Sequence, residues 1–312
     1  MSIEQLAAEA AEHWGGKPLA LIRNRENAVF RMALPNGDLA ALRLHRIGYQ
    51  TAAAIESELW FCGALAGAGL PVPRALPAQN GAALVVLQSG RIASAVEWLS
   101  GAALGEAGVP LAGGAKDQAA QHYALGKLLA RVHSATERLN LPPSFDRPAW
   151  DVDGLTGETP FWGRFWEHPA LIGAEQAEMQ AARDFLRSGL LAHAKTAPLI
   201  PIHADVLREN ILVDGKALSL IDFDDCGLGF ALYDLGTVLS QNLYEPAFAE
   251  IRAALIDGYQ TLRPVEARMV DLFTLARSLA SVGWTMPRLA PDDPIMRSHI
   301  ARALLCAGRI IQ

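Results

Sequence analysis

Apolar residues recur at helical spacing over residues 3–14 (Ile3, Leu6, Ala7, Ala10), and the run stops at Gly15 and Gly16. The period then shortens. Residues 18–23 and 28–34 are short apolar-rich runs that predict strands, Asn36-Gly37 is a strong hairpin turn, and residues 39–45 resume as a strand. A helix is predicted over 51–68, with Ile55, Leu59, Phe61, Cys62 and Leu65 on its buried stripe; Gly69, Pro71 and Pro73 end it. Two further strands, 82–88 and 91–99, flank the turn residues Ser89 and Gly90. Beyond Gly101 the spacing is helical again: 116–137 carries Ala120, Leu125, Leu128, Leu129 and Val132 on one face. A Pro- and Trp-rich stretch, 141–169, reads as loop, and 174–194 as helix. After an acidic stretch from Pro201 to Gly236, three more helices are predicted at 246–262, 264–285 and 294–311. A strand-rich first third thus precedes a helical remainder, with a boundary near residues 97–102. The chain has no internal repeat.

Composition narrows the picture. The 312 residues suffice for one large domain or two modest ones, and 51% hydrophobic against 19% charged residues, with a mean hydropathy of +0.16, is a globular composition. A net charge of −6 argues against a nucleic-acid partner, although Arg43, His45 and Arg46 form a local cluster that is either an anion site or a solvated face. Cys62, Cys226 and Cys306 are scattered and share no C-x-x-C spacing, which indicates a reducing compartment rather than disulfides or a zinc site. No signal peptide or membrane-length apolar run is evident, so the expectation is a cytoplasmic protein with no membrane partner.

The acidic stretch holds the chemistry. Residues 199–202 deliver His203 and Asp205 into a loop, and Pro201 marks the approach as irregular or an edge strand. Residues 211–213 and 217–221 predict two strands of a hairpin turned by Asp214 and Gly215. Closing that hairpin brings Asn210, before its first strand, toward Asp222, after its second, with Asp205 five residues upstream. Carboxylate and amide oxygens in this arrangement suit Mg²⁺, and a further carboxylate can take a proton from an attacking hydroxyl. Each residue singly is also a good turn former. Asp214 is read as turn only; the joint pattern exceeds what turn chemistry requires.

His203, Asp205 and Asn210, followed by Ile221, Asp222, Phe223 and Asp224, resemble the signature of aminoglycoside and related small-molecule phosphotransferases, a group that includes choline kinases, type II homoserine kinases and bacterial stress-response Ser/Thr kinases. The resemblance implies an α+β, bilobal protein-kinase-like fold. A small antiparallel-sheet N-lobe (residues 1–97) would precede a larger, mainly helical C-lobe (residues 98–312). It implies ATP and Mg²⁺, with Asp205 as catalytic base on the acceptor hydroxyl and Asn210 and Asp222 as metal ligands. Asp224, two residues past Asp222, would point to the same side in a strand and reach a second metal.

The first lobe agrees in part with that resemblance. The segment from Arg23 through Glu26 and Asn27 to Arg31 sits between two predicted strands, where a phosphate loop belongs, but lacks the glycines of protein kinases. Arg43 stands where the phosphate-binding lysine is expected, a departure because Arg and Lys are not interchangeable. Glu56 and Glu58 both offer a partner on the next helix, and Glu58 matches the family pattern better. Glu97 and Trp98 fall in the segment that would meet the adenine through backbone groups. His133 and His203 read as structural, and Asp225 and Asp234 as loop and helix-start residues, Asp234 as an N-cap or a brace. Trp150, Trp162, Trp166, Tyr244 and Trp284 are either an acceptor pocket or core aromatics. The reading is a phosphotransferase acting on a hydroxyl of a small molecule. The alternatives are a bacterial stress-response-type protein kinase, against a short segment from Asp222 to Tyr233, and a non-catalytic nucleotide-binding regulator, which would have no need of Asp205.

Overall fold

The computed structural model describes residues 1–24, 27–290 and 293–311. The chain divides into two compact units. The first comprises residues 1–102 together with 139–147 and 212–224, and the second comprises 103–138, 148–211 and 225–312. The units are therefore not consecutive stretches of chain, as a single boundary at 97/98 would make them. The reason is the hairpin of the acidic stretch: its strands Ile211–Asp214 and Ala217–Leu220 belong almost wholly to the first unit, where the Leu220 N–H donates to the Pro71 carbonyl at 3.0 Å.

In the first unit, helix α1 (Ile3–Glu12) opens with a capping box at Ser2 and Gln5. Strands β1 (Lys17–Asn24), β2 (Ala28–Ala33) and β3 (Leu39–Leu44) follow, then helix α2 (Ala52–Gly67), capped by Thr51, and strands β4 (Ala75–Leu76), β5 (Leu84–Val86) and β6 (Ile92–Glu97). They form a sheet in the order β1-β2-β3-β6-β4, with β5 also on β6 and every pair antiparallel. The β2–β3 register places Ala33 opposite Leu39 across the turn at Gly37, whose φ of 88° a residue with a Cβ rarely adopts. Alternation then decides which face does what. Ala40, Leu42 and Leu44 of β3 join Phe30 and Met32 in a core closed by Leu6, Ala7, Ala10 and Trp14, so Ala41 and Arg43 point to the opposite face. Each large side chain in this core contributes about 1.5–3 kcal/mol by leaving water.

Among its described residues the second unit carries the α-helices α3 (Ala115–Thr136), α4 (Val152–Thr156), α5 (Glu175–His193), α6 (Leu232–Asn242), α7 (Phe248–Gln260), α8 (Ala267–Thr285) and α9 (Pro294–Ile310). Helix α6 was not marked by the apolar pattern. All but one of its residues are buried, so no polar face sets off its period. A small sheet orders Ala149–Trp150, Gly227–Gly229 and Ile200–Ile202, which leaves the Pro201 strand at an edge. Helices α3 and α7 touch backbone to backbone. A Cβ on Gly126 would collide with the Leu255 carbonyl, and one on Gly258 with the Tyr123 carbonyl. Among the described residues no helix is long and apolar enough to cross a membrane.

Candidate active site

In the first unit, the face of β3 opposite the core brings Arg43 to α2. Its Nη1 donates to Glu58 Oε1 at 2.6 Å and its Nη2 to Asp222 Oδ1 at 3.0 Å, while Asp224 Oδ1 lies 4.0 Å from Nη1. Of the two acids on α2, Glu58 is therefore the partner, and it is almost fully buried. Burial opposes the charge on Arg43, but Glu58, Asp222 and Asp224 together outweigh it and hold the guanidinium more firmly protonated than usual. His45, on the same strand's end, is pushed well below the ordinary histidine range by burial and then by the cations Arg43, Arg91 and Arg147. It is neutral and hydrogen-bonded to Ser94 at 2.8 Å.

Asp222 has a φ of 65°, one of two non-glycine residues in the left-handed region among the described residues. Such a conformation costs about 1–3 kcal/mol and persists only where the surroundings enforce it. Phe223 is nearly inaccessible and packs edge-on to Phe61 of α2 at 5.8 Å, and the Asp224 carbonyl accepts from Gln50 and Arg147. The segment is thus not a strand, and the expectation that strand alternation aligns Asp224 with Asp222 fails. The two carboxylates nevertheless converge, because both face Arg43.

The remaining first-unit candidates are less concentrated. Asn27 is buried and its Oδ1 accepts the Arg46 N–H at 2.9 Å, which ties the loop to the residues after β3. Arg25 and Glu26 of that loop lie outside the described residues. The Glu97 N–H donates to the Arg74 carbonyl at 2.9 Å and the Trp98 N–H to the Leu39 carbonyl at 3.2 Å, so neither donor is available to a base. The Glu97 carboxylate accepts from the Arg74 N–H at 3.1 Å.

In the second unit the loop from His203 to Asn210 is held from several sides. Asp234 of α6 is inaccessible to solvent, and its carboxylate accepts the Ala204 N–H at 2.7 Å and the His203 N–H at 3.1 Å. These bonds hold Ala204, which also has a positive φ (65°). Asp234 is a brace rather than an N-cap, since α6 begins two residues earlier. Behind it runs a chain of donors. Arg263 Nε donates to the Tyr259 hydroxyl at 3.0 Å, that hydroxyl faces His133 Nδ1 at 2.9 Å, and His133 Nε2 faces Asp234 Oδ2 at 3.0 Å. A proton on His133 Nε2 makes that nitrogen the donor to Asp234. At the loop's far end Arg208 is buried and bonded to Asn242, the Val109 carbonyl and Glu245.

Asp205 and Asn210 meet inside this frame. Asn210 Nδ2 donates to the Asp205 carbonyl at 2.9 Å and to Asp205 Oδ2 at 3.0 Å, which turns its Oδ1 away, buried and without a hydrogen-bond partner. A buried amide oxygen left unbonded costs free energy unless something binds it, and a hard cation is one group that would. No cluster of three or more His, Cys, Asp or Glu among the described residues is arranged to hold a metal, so any ion here would rely on the amide and carboxylate oxygens named above.

The sequence reading missed Arg277. It lies on α8, 72 residues from Asp205, and its Nη2 donates to Asp205 Oδ1 at 2.7 Å while its guanidinium covers the Trp162 ring at 4.7 Å. The available signal was a lone arginine within an otherwise apolar helix face. Of the aromatic candidates, Trp150, Trp162 and Trp166 are buried, Trp150 stacks on Tyr233 at 5.3 Å, and Tyr244 is exposed. Hollows of about 140 Å³ near His193 and Arg263 and about 340 Å³ near Leu111 and Gln118 are not lined by Asp205, Asn210 or Arg277.

The antiparallel sheet with its Arg–Glu pair and the braced Asp205 loop among helices are features of a protein-kinase-like fold. Comparison with known proteins agrees. The chain belongs to the phosphotransferase enzyme family (APH), a match that runs over residues 19–270. It is similar to a homoserine kinase of Pseudomonas aeruginosa PAO1, with 30% identity over 283 residues, 85% of this chain and 78% of the relative. A homoserine kinase of Rhizobium etli is 29% identical over 72% of this chain, which spans only 65% of that relative's length. Among solved structures, a microcompartment-associated aminopropanol kinase superposes with a TM-score of 0.81 and 27% identity, covering 98% of this chain and 97% of that one.

Proposed function

We propose that the protein is an ATP- and Mg²⁺-dependent kinase that phosphorylates a hydroxyl group of a small molecule, with Asp205 as the base. The observation that carries this reading is the Asp205–Asn210 pair. A carboxylate is fixed by an amide whose own oxygen is left buried and unbonded, on a loop that a separate buried carboxylate holds in a strained conformation. Support comes from the named relatives, a homoserine kinase and an aminopropanol kinase, both kinases of small hydroxylated compounds by name.

In this reading the acceptor oxygen attacks the γ-phosphorus, the bond from that phosphorus to the β–γ bridging oxygen breaks, and the hydroxyl proton passes to Asp205. ADP and a phosphomonoester leave. Asn210, Asp222 and Asp224 would hold Mg²⁺, whose chemistry is to neutralise the phosphate oxygens. Arg43 would bind phosphate, oriented by Glu58. Asn27 would steady the loop near the phosphates, and Glu97 and Trp98 would flank the adenine through side chains and carbonyls rather than through their N–H groups. A protein substrate is disfavoured by the short segment, residues 223–231, between Asp222 and α6. We place the activity in the cytoplasm, with no nucleic-acid or membrane partner.

The test is Asp205→Asn in a coupled ATP-consumption assay over a panel of hydroxylated metabolites. Loss of the base is expected to lower kcat by about 10²–10⁴-fold, with ATP affinity changed less than about threefold. Turnover at the wild-type rate would show that Asp205 is not the base.

A further inference from the structure

The larger hollow, about 340 Å³, lies within the second unit where α3 and α7 begin. Pro110, Leu111 and Pro246 give it apolar walls, and its polar lining is Gln118, Glu245 and Glu250. That polar part is one-sided. Gln118 is 5% exposed, and its Nε2 donates to the Leu111 and Gly113 carbonyls, both at 3.1 Å. Carbonyls only accept, so the amide cannot be turned round, and its Oε1 is left buried with no hydrogen-bond partner among the described residues. Glu245 accepts from the Leu111 N–H at 3.1 Å and from Arg208 Nη2; both bonds fall on Oε1, which leaves Oε2 to a ligand. Glu250 is exposed on the first turn of α7. One turn along α3, His122 Nδ1 donates to the Gln118 carbonyl at 2.7 Å, so its buried Nε2 is a further acceptor without a donor. Among the described residues no Lys, Arg or His lines the hollow.

A buried acceptor left unbonded costs free energy until a donor reaches it. Helix N-termini ordinarily invite an anion, but the first turns of α3 and α7 already carry Asp117 and Glu250. An anion would also meet the Glu245 carboxylate. A bare metal cation answers the charge but not the space: at the ~30 Å³ that one water takes in the liquid, the hollow has room for roughly ten non-hydrogen atoms. A primary ammonium has three donors, one each for Gln118 Oε1, Glu245 Oε2 and the Glu250 carboxylate. A short carbon chain attached to it is matched by the two prolines and Leu111.

We propose that this hollow is a second binding site of the protein, for a small organic molecule that bears a primary ammonium group. The site goes beyond the kinase reading and does not rest on it. Its occupant shares Glu245 with Arg208, the residue that ties down the far end of the Asp205 loop.

The experiment is a ligand-observed NMR titration of the whole chain at pH 7 with three probes. Butan-1-amine carries the charge, the N–H donors and the chain; butan-1-ol lacks the charge, and tetramethylammonium lacks the donors. Saturable binding is expected for the amine, at least about tenfold tighter than for either control. Gln118→Met, which keeps the length of the side chain and removes Oε1, is expected to weaken the amine by roughly 10- to 100-fold. Because that variant also gives up its bonds to the Leu111 and Gly113 carbonyls, the exposed Glu250→Gln serves as the second, with an expected loss of about two- to fivefold. No saturable binding of the amine up to about 20 mM, equal binding of either control, displacement of the amine by an equal concentration of ammonium chloride, or both variants binding like wild type overturns the site. The titration needs neither nucleotide nor phosphate acceptor, so its failure leaves the kinase reading standing, and an inactive enzyme that binds the amine does the reverse.

Discussion

Replacing Asp234 by Asn isolates the brace of the Asp205 loop, because it preserves size and removes one charge. The carboxylate accepts three N–H groups, from His203, Ala204 and His133, at 3.1, 2.7 and 3.0 Å. An amide has one oxygen, so its better orientation keeps the two donors at Oδ2 and sets its NH₂ against the Ala204 N–H. One charge-assisted bond, worth about 1.5–3 kcal/mol, is then lost outright, and two others fall to the neutral value near 1 kcal/mol. The sum is about 2.5–7 kcal/mol if the loop stays in place. Ala204 provides the escape: its left-handed backbone costs about 1–2 kcal/mol, and letting it relax recovers that while moving Asp205. The expected outcome is a urea midpoint lowered by roughly 1 M at unchanged m-value, together with a kcat reduced by about 100-fold and a nearly constant KM for ATP. A midpoint within 0.2 M of wild type and an unchanged kcat would refute the argument, since no rearrangement of an amide can satisfy three donors in that buried position.

The remaining predictions concern packing and pH. Gly126→Ala is expected to cost about 1–3 kcal/mol or more, because its methyl meets the Leu255 carbonyl of α7 rather than a yielding side chain; thermal melting of the pure variant measures it, and an unchanged Tm would show that the helices separate freely. His299 is pushed down to about 3, by burial first and then by Arg302 and Arg277. Its folded-state value lies below the unfolded one near 6.5, so the unfolded chain binds more protons between these limits, and stability falls as pH drops through that window by up to about 1.4 kcal/mol per unit. Comparing wild type with His299→Gln from pH 7 to 4 checks this: the variant's curve should be flatter, and parallel curves would contradict it.

Much of this architecture is legible in the amino-acid order, and what is not has physical causes. The strands around Asn36-Gly37, helix α2 with Glu58, and the hairpin after Asn210 announce themselves because their signals are local: turn chemistry, caps and period. Helix α6 hides because it is buried all round. Its Asp234 reads as a helix-start residue until the structure shows three donors converging on it. Arg277 could not be paired with Asp205 from spacing, since tertiary packing alone joins positions 72 residues apart. The donors of Glu97 and Trp98 look free in sequence, yet Arg74 and Leu39 consume them. The division of the chain into units depends on where the hairpin docks, and no single linker marks it.

The two glycines between α3 and α7 have a reach beyond their own contact. His133 lies two turns past Gly126 on α3, and Tyr259 is the neighbour of Gly258 on α7, so the notch that lets the backbones touch also sets the 2.9 Å gap between imidazole and phenol. A hydrogen bond tolerates a few tenths of an ångström, whereas a single methyl shim would part the helices by more than that. The notch therefore acts as a gauge block. It fixes a dimension at one end of a helix pair, and the chain from Arg263 through Tyr259 and His133 to Asp234 carries that tolerance to the loop that holds Asp205.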